Sequence, residues 1–205
     1  MTIPMKQKDT LINKFEKAGL ITVIVIWVLR VWFGPAFNYA LLLTTTLLAI
    51  YYLWFGFFIF NKLRPFDLVH QHKRQSLTPF KIVTSILMGL IISYCLIAIL
   101  FGFLFFPGMQ TAIIFAFVVM VAFAGFIIAY QVIQKKHMAF CNRYYLRMVL
   151  FVVFLALLWI PPLEVRLGVL FRDHPDFQEA YIEYSENPEC EKAKEKLRQE
   201  RSRFR

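Results

Sequence analysis

The sequence predicts an all-α integral membrane protein with about five transmembrane helices and a short helical C-terminal tail. Three observations predict it. Of 205 residues, 59% are hydrophobic and 18% charged, against about 45–50% and about 25% in a soluble domain. The apolar residues gather into five blocks separated by polar or tight-turn segments, as a bilayer solvent requires. Lys and Arg concentrate at alternate junctions between those blocks, the signature of the positive-inside rule.

Residues 1–17 carry Lys6, Lys8, Lys14 and Lys17, while Leu11, Ile12 and Phe15 share one helical face. This basic amphipathic start is expected to lie along a membrane surface. The first span is expected over 18–33. The residues that follow it, Trp32-Phe33-Gly34-Pro35, are not those of a cleavage site, so the block is expected to remain as a helix. Gly34-Pro35 makes a tight turn into a second span over 38–60. After a polar loop at 61–81 come a third span over 82–106, a Pro107-Gly108 turn, and a fourth over 111–133. At 1.5 Å per residue, each of the longer spans can cross about 30 Å of hydrocarbon. A fifth span is expected over 145–160, closed by Pro161-Pro162, unless it continues beyond the prolines into 163–171. The domain plan is therefore 1–17, a membrane domain over 18–160, and a charged helical tail over 161–205.

The N-terminus and the 61–81 and 134–147 loops are basic, whereas the turns at 34–37 and 107–110 carry no charge. That alternation places the N-terminus and both basic loops in the cytoplasm of an inner (plasma) membrane and, with five crossings, the tail outside. The tail, with nine Lys/Arg against ten Asp/Glu from Glu164 onward, is near neutral. His174-Pro175-Asp176 opens its first helix, on which Phe177, Tyr181 and Tyr184 share a face. Asn187-Pro188 is expected to open a second, with Asn187 as its N-cap. The tail is either a docking helix for a partner or a solvated charged helix.

The net charge of +10 does not point to nucleic acid, because the cations flank the apolar blocks and form no basic folded domain. Cys95, Cys141 and Cys190 show no C-x-x-C spacing. No G-x-S-x-G, H-E-x-x-H, Walker lysine or Rossmann glycine pattern occurs. No catalytic residue, resident metal or cofactor is assigned.

Helix packing gives the clearest motif. Ser85, Gly89 and Ser93 recur every four residues, followed by Ala98 and Gly102. The fourth span carries Ala112, Ala116, Ala124, Gly125 and Ala129. Small residues at this spacing let backbones approach within lipid, inside the chain or against a partner membrane protein or a second copy. Thr44, Thr45 and Thr46 either bond back to their own helix or line a polar pathway. Arg30 is a formal charge within a predicted span; near the outer boundary, it is expected to snorkel to the headgroups. In the 61–81 loop, Arg64, Asp67, His70, His72, Lys73 and Arg74, with His137 on the same side, form the candidate binding cluster. Anionic lipid headgroups suit its cations; His-x-His beside a carboxylate is also a metal-ligand pattern.

Two hairpins look alike: Phe33-Gly34-Pro35 leads to Phe60-Asn61-Lys62, and Phe106-Pro107-Gly108 leads to Ile133-Gln134-Lys135, offset by 73 residues. They are related by duplication, or they are independent hairpins shaped by the same membrane rules. The segments Trp32-Phe33-Gly34-Pro35-Ala36 and Phe105-Phe106-Pro107-Gly108-Met109 resemble hairpins of small polytopic inner-membrane proteins of Bacteroidetes. They also resemble the membrane hairpin of the gliding-motility and type IX secretion stator subunit. That stator family uses an intramembrane acidic residue; the predicted spans here hold no Asp or Glu, so the resemblance does not imply a motor role. The expected function is a non-catalytic subunit or accessory factor of a membrane complex. A small transporter using Thr44–Thr46 and Arg30, and a membrane-bound enzyme using Asp67, His70, His72 and His137, are the alternatives.

Overall fold

A computed structural model describes residues 11–63, 65–69, 77–106, 108–134 and 141–203. Every regular element among them is helical: α1 (Leu11–Phe33), a 3-10 segment (Gly34–Phe37), α2 (Asn38–Asn61), a second 3-10 segment (Pro65–Val69), α3 (Pro79–Leu104), α4 (Met109–Gln134), α5 (Cys141–Trp159), α6 (Leu163–Leu170), α7 (Pro175–Glu186) and α8 (Glu191–Ser202). Three stretches are long and apolar enough to cross a membrane: Leu11–Asn61, Pro79–Leu104 and Met109–Gln134. A fourth arises if the pair Tyr144–Trp159 and Leu163–Leu170, bent by 100°, is one span.

The first stretch is folded in two. Gly34, at φ 65°, takes the left-handed backbone that a residue without Cβ adopts freely, and Pro35 fixes the turn that follows. Contacts then run antiparallel along α1 and α2. The Tyr51 hydroxyl donates to the Ile12 carbonyl at 2.7 Å, Trp27 Nε1 to Thr45 Oγ1 at 3.4 Å, and Arg30 Nε to Asn38 Oδ1 at 2.7 Å.

Leu11–Lys17 does not form a separate segment before the first span. No Pro or Gly interrupts 11–18, and the polar side chains Asn13 and Glu16 are buried inside the bundle, so these residues are the first two turns of α1. The acidic Glu16 therefore belongs to the same helix as the first apolar block.

Thr78 caps α3, its hydroxyl accepting from the Lys81 amide at 3.3 Å with Pro79 in the first turn. α3 is the central helix: 56% of its apolar window is buried against 28% for α4. Gly56 of α2 and Gly89 of α3 bring those two helices into backbone contact. A Cβ built on Gly89 would stand 2.7 Å from the Tyr52 carbonyl oxygen.

α3 ends at Phe105, a bulky residue in the left-handed region at φ 51°. Its ring is fully enclosed by Phe171 and Tyr181, with centroids at 5.5 and 5.2 Å, and its carbonyl accepts from Arg201 Nη2 at 2.6 Å. The tail thus folds back and holds the strained turn in place. Phe177 and Tyr181 are buried, as their shared face predicts, but they are buried against this chain's own bundle. The aromatic face of the tail is thus packed on the chain itself, while most of the charged helix α8 is exposed, with Ala193 and Leu197 buried. Asn187 closes α7 instead of capping α8, which begins at Glu191 after Cys190. Asn187, at φ −130° and ψ 69°, has left the helical backbone that the following proline disfavours, and the Cys190 amide donates back to its carbonyl at 3.0 Å.

After Trp159, Pro161-Pro162 removes two backbone donors, and the chain turns sharply into α6 rather than continuing straight. The 34–37 turn, the end of α3 at 105–106, α6 and the tail share one end of the bundle, since Arg172 reaches the Trp32 carbonyl and Arg201 the Phe105 carbonyl. The other end carries Asn61, Thr78 and the start of α5.

Candidate functional site

Two buried polar clusters, one toward each end, hold the bundle's side-chain chemistry. At the loop end, Glu16 of α1 is 1% exposed. Its carboxylate takes Arg147 of α5 in a two-pronged ion pair, Nε to Oε1 and Nη2 to Oε2, both at 2.7 Å. The Tyr52 hydroxyl of α2 donates to Oε1, also at 2.7 Å. The Arg147 guanidinium lies over the Phe60 ring at 5.0 Å, a cation–π contact that covers its flat face. The first two helices and the fifth are thereby tied through one carboxylate.

Beside this triad, Asn61 Nδ2 donates to Ser85 Oγ at 2.8 Å, and Ser85 Oγ lies 2.9 Å from the Tyr144 hydroxyl. This links α2, α3 and α5 again. Ser85 therefore does more than supply a small side chain at a crossing.

At the turn end, Arg30 does not snorkel. It is fully buried, donating from Nε to Asn38 and from Nη1 to the Leu170 carbonyl at 2.7 Å, with the Phe171 ring 4.8 Å from its guanidinium carbon. The physical reason is α6: its last turn presents unsatisfied carbonyls to a cation close at hand, and the tail then closes over it. Arg30 Nη2 has no hydrogen-bond partner among the described residues. Arg166 of α6 is nearly as enclosed, donating from Nη1 to the Leu158 carbonyl at 2.7 Å and leaving Nε unsatisfied.

Thr44 bonds back to the Ala40 carbonyl at 2.6 Å and Thr45 accepts from Trp27, so these hydroxyls are spent within the α1–α2 hairpin. Asp67 sits in the second 3-10 segment. Arg64, His70, His72, Lys73, Arg74 and His137 of the expected loop cluster lie outside the described residues.

Among the packing residues, Gly89, Ala98 and Ala116 are buried. Gly102 faces Leu158 and Ile113, and Ser93, Ala112 and Ala124 are half-buried. Gly125 and Ala129 instead occupy the outward face of α4, where a Cβ on Gly125 would meet nothing within 4 Å. Four residues apart, they give the chain itself no crossing to fill.

In the tail, Lys196 bridges Glu183 at 2.9 Å and Glu179 at 3.1 Å, which holds its ammonium above the ordinary lysine range. Burial pushes the Tyr181 phenol up. These contacts clasp α8 to α7; exposed pairs of this kind contribute little stability.

Compared with known protein families, with curated proteins and with solved structures, the chain matches none. Its site must be read from the geometry alone. Glu16, Tyr52, Tyr144, Asn38 and Arg166 are residues of these clusters that the sequence left unmarked. The signal that could have found the first is an acid in α1 and a base in α5 at the same, basic end of two apolar blocks.

Proposed function

We propose that this chain is a polytopic inner-membrane subunit or accessory factor. Its five long helices α1–α5 cross the bilayer, its N-terminus and basic loops face the cytoplasm, and its tail lies outside. The single observation that carries the subunit assignment is the unused small-residue pair Gly125 and Ala129 on the outward face of α4. Such positions let a second helix approach closely in lipid. The buried polar groups support the same reading, because Glu16, Arg147, Tyr52, Asn61, Ser85 and Tyr144 spend their bonds tying helices together. The partner is another membrane protein or a second copy of this chain. Anionic lipid headgroups meet the basic loops.

Photo-crosslinking side chains placed at positions 125 and 129 in native membranes are expected to give a discrete protein adduct, whereas one at Val149, an exposed position on α5, gives lipid adducts only. Diffuse adducts from all three positions would remove the subunit assignment. Orientation has its own test. Cys95 is enclosed and Cys190 exposed. In a Cys141→Ser background, a membrane-impermeant maleimide added to spheroplasts is expected to label Cys190. Labelling only after lysis would put the tail inside and remove the fifth crossing.

A further inference from the structure

A cleft of about 360 Å³ opens between α1, α5 and α6 at the turn end, walled by Trp27, Phe103, Phe154, Leu158 and Val169. Its floor is enclosed, with Trp27 at 4% exposure, while Val169 on the rim is half open. The volume falls within the range of about 300–1,000 Å³ typical of small-molecule sites. The charged residue on its wall is Arg166. Arg30 stands behind another wall residue, Leu170, and bonds its carbonyl.

These two guanidinium groups set an electrostatic problem. Both are more than nine-tenths buried, each leaves an N–H group unsatisfied, and neither forms an ion pair with a described carboxylate. A buried cation without a counter-charge is costly, and in a membrane more so. Carbonyl oxygens meet part of each guanidinium but bring no negative charge. The cleft is lined almost wholly by apolar side chains and passes Arg166, so an occupant with an apolar chain along it and an anion near that guanidinium would supply the charge the site lacks, and the open rim lets it enter from the side.

We propose that the cleft binds one anionic phospholipid, its acyl chain lying against Trp27 and Phe154 and its phosphate meeting Arg166. The assignment rests on the membrane reading above and goes beyond it, since it names a ligand site unrelated to the α4 face. A lipid supplies both parts of the required chemistry in one molecule.

The full chain, purified and delipidated in detergent, is titrated with phosphatidylglycerol or with phosphatidylcholine of the same acyl chains, and native mass spectrometry counts the bound lipid. One tightly held phosphatidylglycerol is expected, with a preference of about tenfold over phosphatidylcholine. Arg166→Gln abolishes the preference, and Arg166→Lys retains part of it. Val169→Trp, a change on the open rim that leaves the buried arginines alone, lowers the binding of both lipids. Equal binding of the two lipids by the wild-type chain, or a preference untouched by Arg166→Gln, overturns the proposal, as does binding untouched by Val169→Trp. Inorganic phosphate bound as tightly as the lipid would leave only an anion site and overturn it too. A chain recovered from the aqueous fraction without detergent would instead sink the membrane reading, so the two failures are distinguishable.

Discussion

Alanine at Gly89 is expected to destabilise the isolated chain, while alanine at Gly125 stabilises it. Each position lies in a helix interior, Gly89 in α3 and Gly125 in α4, and they differ in what a methyl group meets. At Gly89 the new Cβ would stand 2.7 Å from the Tyr52 carbonyl and 3.0 Å from the Gly56 Cα. Both contacts are backbone, so no side chain can rotate away, and α2 and α3 must part. Overpacking of this kind costs about 1–3 kcal/mol. Here the displaced segment also carries Tyr52, which holds Glu16, so the loop-end triad is strained along with the crossing. At Gly125 a Cβ meets nothing within 4 Å, and glycine in a helix interior costs about 0.5–1 kcal/mol relative to alanine. Unfolding midpoints of the two variants in one detergent, read by circular dichroism, are expected to move in opposite directions. Equal shifts would mean that α2 and α3 do not meet at Gly56 and Gly89. Gly56→Ala, with its Cβ 2.7 Å from the Gly89 Cα, is expected to follow Gly89→Ala.

The contrast between those glycines marks how far the sequence could be read. Apolar blocks announce helices whatever packs on them, so α2, α3 and α4 lie within a few residues of their expected bounds. Spacing found Gly89 but could not say which small residues face inward. Gly125 has the same signature and the opposite environment. Gly56, set among Trp54, Phe55 and Phe57, offered no stripe at all. Pairings were less legible still, because they depend on helices far apart in the chain. Arg30 looked like a snorkelling residue until α6, 140 positions onward, supplied the Leu170 carbonyl. The tail's aromatic face was legible; that it would clamp the α3–α4 turn was not, since Phe105 looks like any other span residue until its backbone turns left-handed.

Glu16 and Arg147, 131 positions apart, give the other large effect. The Glu16 side chain is 2% exposed and that of Arg147 21%, so the two are not equivalent when one is removed. Arg147→Met strands a carboxylate with only the Tyr52 hydroxyl for company; breaking a buried pair in this way costs about 3–5 kcal/mol. Glu16→Leu removes the carboxylate from an arginine that still lies over Phe60 and can reach the edge of the bundle, and it also takes that carboxylate acceptor from the Tyr52 hydroxyl. That loss is about 1–3 kcal/mol. Glu16→Gln keeps an acceptor for Tyr52 and is expected to fall below Glu16→Leu. Combining Glu16→Leu with Arg147→Met removes both desolvation costs at once, and apolar replacement of a whole buried pair is often neutral or stabilising. The double variant is therefore expected to be more stable than Arg147→Met alone, with a coupling of about 1–3 kcal/mol across the cycle. Unfolding midpoints of the four chains in one detergent measure it. Additive losses would separate the two side chains and, with them, the tie between α1 and α5. Strong coupling would show that a carboxylate at the start of the first helix and a guanidinium in the fifth close the bundle into one body, with its polar groups turned inward as staples.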